Sequence, residues 1–174
     1  PPPRRRRGPA RKGRRGRSTV GHNGGAPAHL PHSVRGGGAL FKALGTEKST
    51  GTRLFCCSGH LNRPGTYEME MGTPIRELLD EECGGVWKDR SLKAFQPGGG
   101  SMQVLMPQHL DLPLDMEAVA QAGSSLGAGA MVFLDEPTCL VNVSMRLADV
   151  YHTASCAHAR PCPPGTDIPP HLPP

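Results

Sequence analysis

The chain has 174 residues, room for one domain and a short extra segment, yet only 32 of them are Leu, Ile, Val or Phe. Twenty-four of those fall between residues 52 and 151, so a compact core is expected only there; the flanks cannot offset their ordering entropy by burial. The net charge of +5 is equally uneven, with nine cations and no acid in the first 17 residues and −4 on the remainder.

The basic block comprises Arg4 to Arg7, Arg11, Lys12, Arg14, Arg15 and Arg17. Such a run attracts phosphate without reading sequence, and no aromatic residue is interleaved to stack on bases. Nucleic acid is therefore not the expected partner. No apolar run approaches the ~18–20 residues that would cross a bilayer, and the start, Pro1, carries no secretory leader pattern. Six cysteines without an export signal read as buried thiols or metal ligands rather than a disulfide framework.

Residues 1–17 form a Pro/Arg/Gly low-complexity tail, and residues 18–51 are Gly-rich without sustained periodicity. Arg53 to Ser58 reads as a strand, followed by a turn from Gly59 to Gly65. Tyr67, Met69 and Met71 then alternate with Glu68 and Glu70, the period of a half-buried strand, so the two runs predict a hairpin. A helix follows, with Thr73 as the expected N-cap, Pro74 at its first position, and Ile75, Leu78, Leu79 and Cys83 on one face; Gly84 and Gly85 stop it. Leu92 to Phe95 predicts a short strand, Asp115 to Ala122 a short helix, and Ala130 to Leu134 a buried strand. This order is that of an α+β, β-grasp (ubiquitin-like) unit. Beyond Pro137, Leu140, Val143, Leu147, Val150 and Tyr151 recur at helical spacing, and a Pro-rich tail runs from Pro161.

Several stretches carry a resemblance. They are Gly45 to Phe55, Ser58 to Gly65, Met71 to Pro74 with Glu77-Leu78, Gly84-Gly85, Pro97 to Gly99, Ala122 to Gly127, and Cys156, Pro161-Cys162 and Gly165-Thr166. Gly16 to Val20 and Leu30 to His32 extend the series upstream. In this order they resemble the middle and C-terminal part of the NADH-binding flavoprotein subunit (the 51 kDa or F-type subunit) of NADH:quinone oxidoreductase, respiratory complex I. The resemblance implies an N-terminal domain binding FMN and NADH, a soluble-ligand-binding β-grasp domain, and a helical bundle carrying one [4Fe–4S] cluster. Hydride passes from NADH to the flavin, and electrons leave through the cluster toward quinone. It also implies other peripheral-arm subunits as partners and a cytoplasmic place, peripheral to a bacterial inner membrane.

Residue by residue, much of that chemistry is missing. The family's glycine-rich phosphate loop is not found; Gly36 to Gly38 follows no plausible strand and is expected to be a flexible linker. Of a paired-Asn segment contacting FMN, only Asn23 matches. Of the cluster ligands, Cys156 and Cys162 match the first and third, Ala159 stands at the second, and no fourth follows. Two thiolates cannot hold a four-iron cube. His152, Cys156, His158 and Cys162 include the residue types of a tetrahedral zinc set, but their spacing fits no standard finger, and unliganded residues at a frayed helix end are expected instead. Cys56, Cys57, Cys83 and Cys139 read as buried small hydrophobes, with Cys56 and Cys57 on opposite faces of a strand. No catalytic residue is nominated.

The expected organisation is a basic tail (1–17), a Gly-rich remnant of the flavin domain (18–51), a β-grasp domain (52–136), the start of an iron–sulfur helical segment (137–166) and a Pro-rich tail (167–174), with disordered termini. The expected function is that of a partial electron-input subunit, not competent in catalysis alone. The alternative is a free-standing β-grasp binding module whose basic tail contacts nucleic acid or anionic surfaces.

Overall fold

The structure, a computed structural model, describes residues 25–154. Gly24–Thr138 forms one compact unit, and the last described helix belongs to a second. In chain order the elements are α1 (Gly25–Lys42), β1 (Thr52–Gly59), β2 (Gly65–Glu70), α2 (Ile75–Glu77), β3 (Leu92–Gln96), α3 (Met116–Gln121), β4 (Ala130–Asp135) and α4 (Leu140–Ala154). No helix among the described residues is long and apolar enough to cross a membrane.

The four strands form one mixed sheet in the order β2-β1-β4-β3. The predicted hairpin is present, with Phe55 opposite Tyr67 and Arg53 opposite Met69. Its alternation decides which side is buried: Met69 and Met71 are in the core, Tyr67 packs against it, and Glu68 and Glu70 face water. β4 inserts parallel to β1, Cys57 opposite Met131, and β3 pairs antiparallel with β4. At the end of β1, Gly59 has φ +94°, and a Cβ there would run into the Phe133 carbonyl, so close strand pairing requires glycine. Strand, hairpin strand, helix and later strands on one mixed sheet make this the expected α+β, β-grasp fold.

The core lies between the sheet and the segments that cover it. Phe55, Phe95 and Phe133 are fully buried, and the last two stack with ring centroids 5.7 Å apart. Ile75, Leu78, Leu79 and Cys83 close on them from α2 and its continuation, joined by Leu110, Leu114, Val119 and Leu126. Each large apolar side chain buried this way contributes about 1.5–3 kcal/mol. α3 starts as expected, Asp115 accepting the Ala118 N–H at 2.6 Å as its N-cap.

Three local expectations are corrected. Thr73 does not cap α2: Pro74 holds the cap position in an extended conformation, and no side chain caps the helix. The orphan N–H groups are met by backbone instead, Ile75 donating to the Leu112 carbonyl (3.0 Å) and Arg76 to that of Leu110 (2.8 Å). α2 is also only three residues long before it widens into a π-helical turn, Leu78–Glu82. The predicted stop holds, Gly84 and Gly85 adopting φ of +69° and +77°.

The third correction concerns the Gly-rich stretch. It contains α1, helical in spite of Pro31 and broken at Gly37, where φ is +77°. A straight helix would separate residues twelve apart by about 18 Å, yet the His29 and Phe41 rings lie 5.1 Å apart. The helix therefore folds back at Gly37, and Gly36 to Gly38 is a hinge between helical pieces rather than a flexible linker. Phe41 packs so closely on Gly51 that a Cβ there would collide with the ring.

Candidate functional site

The residues nominated from sequence for cofactors, Asn23, Cys156 and Cys162, lie outside the described residues, as does His158 of the zinc alternative. His152 lies within α4. Among the described residues, no group of three or more His, Cys, Asp or Glu side chains could hold a metal ion. Cys57 and Cys83 are buried as expected, whereas Cys56 and Cys139 are exposed, contrary to expectation. Cys56 is exposed because the period of β1 turns it away from the face occupied by Phe55 and Cys57. The contact with Cys83, together with burial, pushes the Cys57 thiol up. With no such grouping of His, Cys, Asp and Glu, the described residues supply no set that fits an iron–sulfur cluster.

The motif Ser58 to Gly65 has a structural use. Asn62 donates its side-chain amide to the Gly84 carbonyl at 2.7 Å, and its backbone N–H bonds Gly85 at 3.1 Å. The Arg63 guanidinium donates to the Glu81 carbonyl and its backbone N–H to that of Cys83 (2.9 Å). The hairpin turn therefore supplies donors to carbonyls at the end of the π-helical turn and just after it, which lack helical partners.

The densest polar arrangement sits where β4 ends. Asp135 is 1% exposed, and its carboxylate collects partners from three other segments. Thr138 donates to Oδ1 at 2.5 Å and Arg90 Nη1 to Oδ2 at 2.8 Å. His60 Nδ1 lies 3.3 Å from Oδ1 and 3.4 Å from the Asp135 backbone N–H. In the neutral ring Nδ1 can accept that N–H; protonated, it faces the carboxylate. The Thr138 hydroxyl, then the Arg90 guanidinium and nearby His60, hold the Asp135 carboxyl below the usual carboxylate range against its burial. Lys93 Nζ donates to the carbonyls of Glu136 and Thr138, both at 2.7 Å.

Beside this network a one-turn 3-10 helix, Trp87–Asp89, presents the chain's sole tryptophan, 44% exposed. Lys88 and Asp89 both adopt left-handed φ, 58° and 54°, conformations that strain residues other than glycine. Lys88 Nζ lies 4.2 Å from the indole centroid and Arg90 Cζ 6.0 Å, while the Trp87 backbone N–H donates to the His60 carbonyl at 3.0 Å. Sequence reasoning nominated none of Trp87, Arg90, Asp135 or Thr138. They lie up to 51 positions apart, and no local motif announces that they meet.

Comparison with known proteins decides the relationship. Residues 53–133, the span from β1 to β4, match the SLBB domain family. The chain carries an SLBB domain. Around that domain it is a relative of the F-type, 51 kDa subunit of NADH-quinone oxidoreductase, as the sequence resemblance implied. It is 44% identical over 158 residues to the F-type subunit of the NADH-quinone oxidoreductase of Mycobacterium bovis, covering 91% of this chain and 35% of that protein. It is 42% identical over 144 residues to the mitochondrial NADH-ubiquinone oxidoreductase 51 kDa subunit of Neurospora crassa, covering 80% of this chain and 29% of that protein. Among solved structures, an NAD+-reducing [NiFe]-hydrogenase in the air-oxidized state is similar at a TM-score of 0.73 and 29% identity. That match covers 91% of this chain and 26% of the other. The SLBB chain thus spans about a third of the length of the oxidoreductase subunits it matches.

Proposed function

We propose that this chain acts as the SLBB portion of an electron-input subunit in an NADH:quinone oxidoreductase-type assembly. In this reading it is a folded scaffold and docking unit, not a self-sufficient dehydrogenase. The carrying observation is the enclosed SLBB core, built on β1 to β4, within a homology to the F-type subunit that runs over about nine-tenths of the chain. The proposed division is a basic tail (1–17), a remnant of the flavin domain (18–51), the SLBB unit (52–136), an iron–sulfur helical segment (137–166) and a Pro-rich tail (167–174).

The cofactors of the reading, FMN, NAD and a [4Fe–4S] cluster, belong to the assembly. In this chain Asn23 would face the flavin, and Cys156 and Cys162 would be the first and third cluster ligands, with Ala159 where the resemblance calls for the second. Ala159 leaves one position of the close ligand motif without a thiolate, so no electron-transfer step is assigned to the residues in hand. Its partners would be the other peripheral-arm subunits, on the cytoplasmic side of a bacterial inner membrane.

The test is anaerobic reconstitution of the purified full chain with iron, sulfide and FMN, followed by desalting and an absorption spectrum. The expected result is no retained cluster band and no flavin, together with co-purification of the chain with peripheral-arm subunits on co-expression. A retained cluster or flavin overturns the non-catalytic assignment. A stable chain that never associates, but binds nucleic acid through residues 1–17 in a salt-dependent manner, favours a free-standing module.

A further inference from the structure

Asp135 touches three parts of the molecule that are otherwise held by separate contacts. His60 stands at the exit of β1, Arg90 just after the strained Trp87 turn, and Thr138 at the end of the segment by which the chain leaves the sheet. That exit segment is fixed a second time: the Glu136 N–H donates to the Ser91 carbonyl at 2.9 Å, and Lys93 holds the Glu136 and Thr138 carbonyls. The turn has a second hold of its own, the Trp87 N–H on the His60 carbonyl. Ser91 and Lys93, which grip the exit, follow immediately on Arg90, which leaves the turn.

We infer that Asp135 couples the Trp87 turn to the exit segment Glu136–Thr138, so that loosening either loosens the other. The physical reason is shared occupancy. The two carboxylate oxygens divide between the exit (Thr138 on Oδ1) and the turn (Arg90 on Oδ2), and the group is too buried for water to replace a lost donor. If Thr138 withdraws, the carboxylate loses one of the donors that stabilise its charge and reorients, and Arg90 loses its fixed partner. Two adjacent left-handed residues then have less to hold them in strained conformations. The charged and titratable groups facing Asp135 are His60, Arg90 and, through the carbonyls it binds, Lys93. The inference concerns this chain's own fold and stands whether or not the chain works in a respiratory assembly.

A single tryptophan makes the coupling readable, because all indole emission reports the turn. The test perturbs the exit and reads the turn. In Lys93→Met, which removes only the hold on the Glu136 and Thr138 carbonyls, amide exchange at residues 136–138 should rise several-fold. Trp87 emission should shift toward that of an exposed indole, while exchange in β1 and β4 stays unchanged. Asp135→Asn should show both changes, larger. If Lys93→Met opens the exit but leaves Trp87 emission and quenching as in the parent, the coupling is wrong. It is equally wrong if exchange rises to the same degree throughout the sheet, since the network would then be ordinary core. Should Asp135→Asn fail to fold, Lys93→Met with Thr138→Val decides the question alone.

Discussion

The SLBB unit and α4 spend their apolar residues in different ways. Between β1 and β4 the chain encloses Phe55, Phe95, Phe133, Ile75 and Leu114 completely. The 15 residues of α4 include no buried residue, and Val150 and Tyr151 are 59% and 41% exposed. A sheet enclosed by its own covering segments draws its stability from that burial, whereas a helix of that length is marginal in water on propensity alone.

The contrast can be broken most forcefully at Phe133, fully buried and stacked on Phe95. Phe133→Ala should cost about 3–5 kcal/mol of unfolding free energy in urea titrations. A loss below about 1 kcal/mol would mean that the unit does not rest on this core. A gentler effect is expected from pH. The folded-state value of Asp135 is depressed by Thr138, Arg90 and His60, so its contribution is present above the ordinary carboxylate pKa of about 3.9 and is lost as pH falls through the depressed folded value. Melting temperatures followed downward from pH 6 should therefore decline more steeply in the parent than in Asp135→Asn. Equal slopes would remove Asp135 from the groups linked to folding. The smallest effect should come from α4: Val150→Lys should leave the melting of the SLBB unit within about 0.5 kcal/mol, by differential scanning calorimetry. A larger loss would show that Val150 is covered in solution and that the two regions are not so different.

How much could be read in advance varies with the range of the forces involved. The alternation of Tyr67, Met69 and Met71 against Glu68 and Glu70 named the hairpin and its inner face, because a two-residue period is a property of the strand itself. The helix expected from Asp115 to Ala122 and the stop at Gly84-Gly85 were likewise placed by local signals, left-handed backbone at the two glycines among them. Thr73 misled because the carbonyls that replaced its cap, those of Leu110 and Leu112, come from a loop more than thirty positions later. α1 was hidden by Pro31 and three consecutive glycines, since propensity counts against a helix that packing of Phe41 on Gly51 nevertheless accompanies. The cofactor candidates Asn23, Cys156 and Cys162 rest on resemblance, and the described residues do not include them.

By itself the sequence determined the class of fold, the hairpin, the place of the core and the kinship with the F-type subunit, because periodicity, turn residues and ordered motifs are all local along the chain. Only the tertiary structure decided the parallel insertion of β4 beside β1, the backbone capping of α2, and the gathering of His60, Arg90 and Thr138 around Asp135. Those features depend on contacts between segments up to 78 positions apart. Their free energy appears only once the chain has closed the loops between them, and no local pattern of residues encodes that closure.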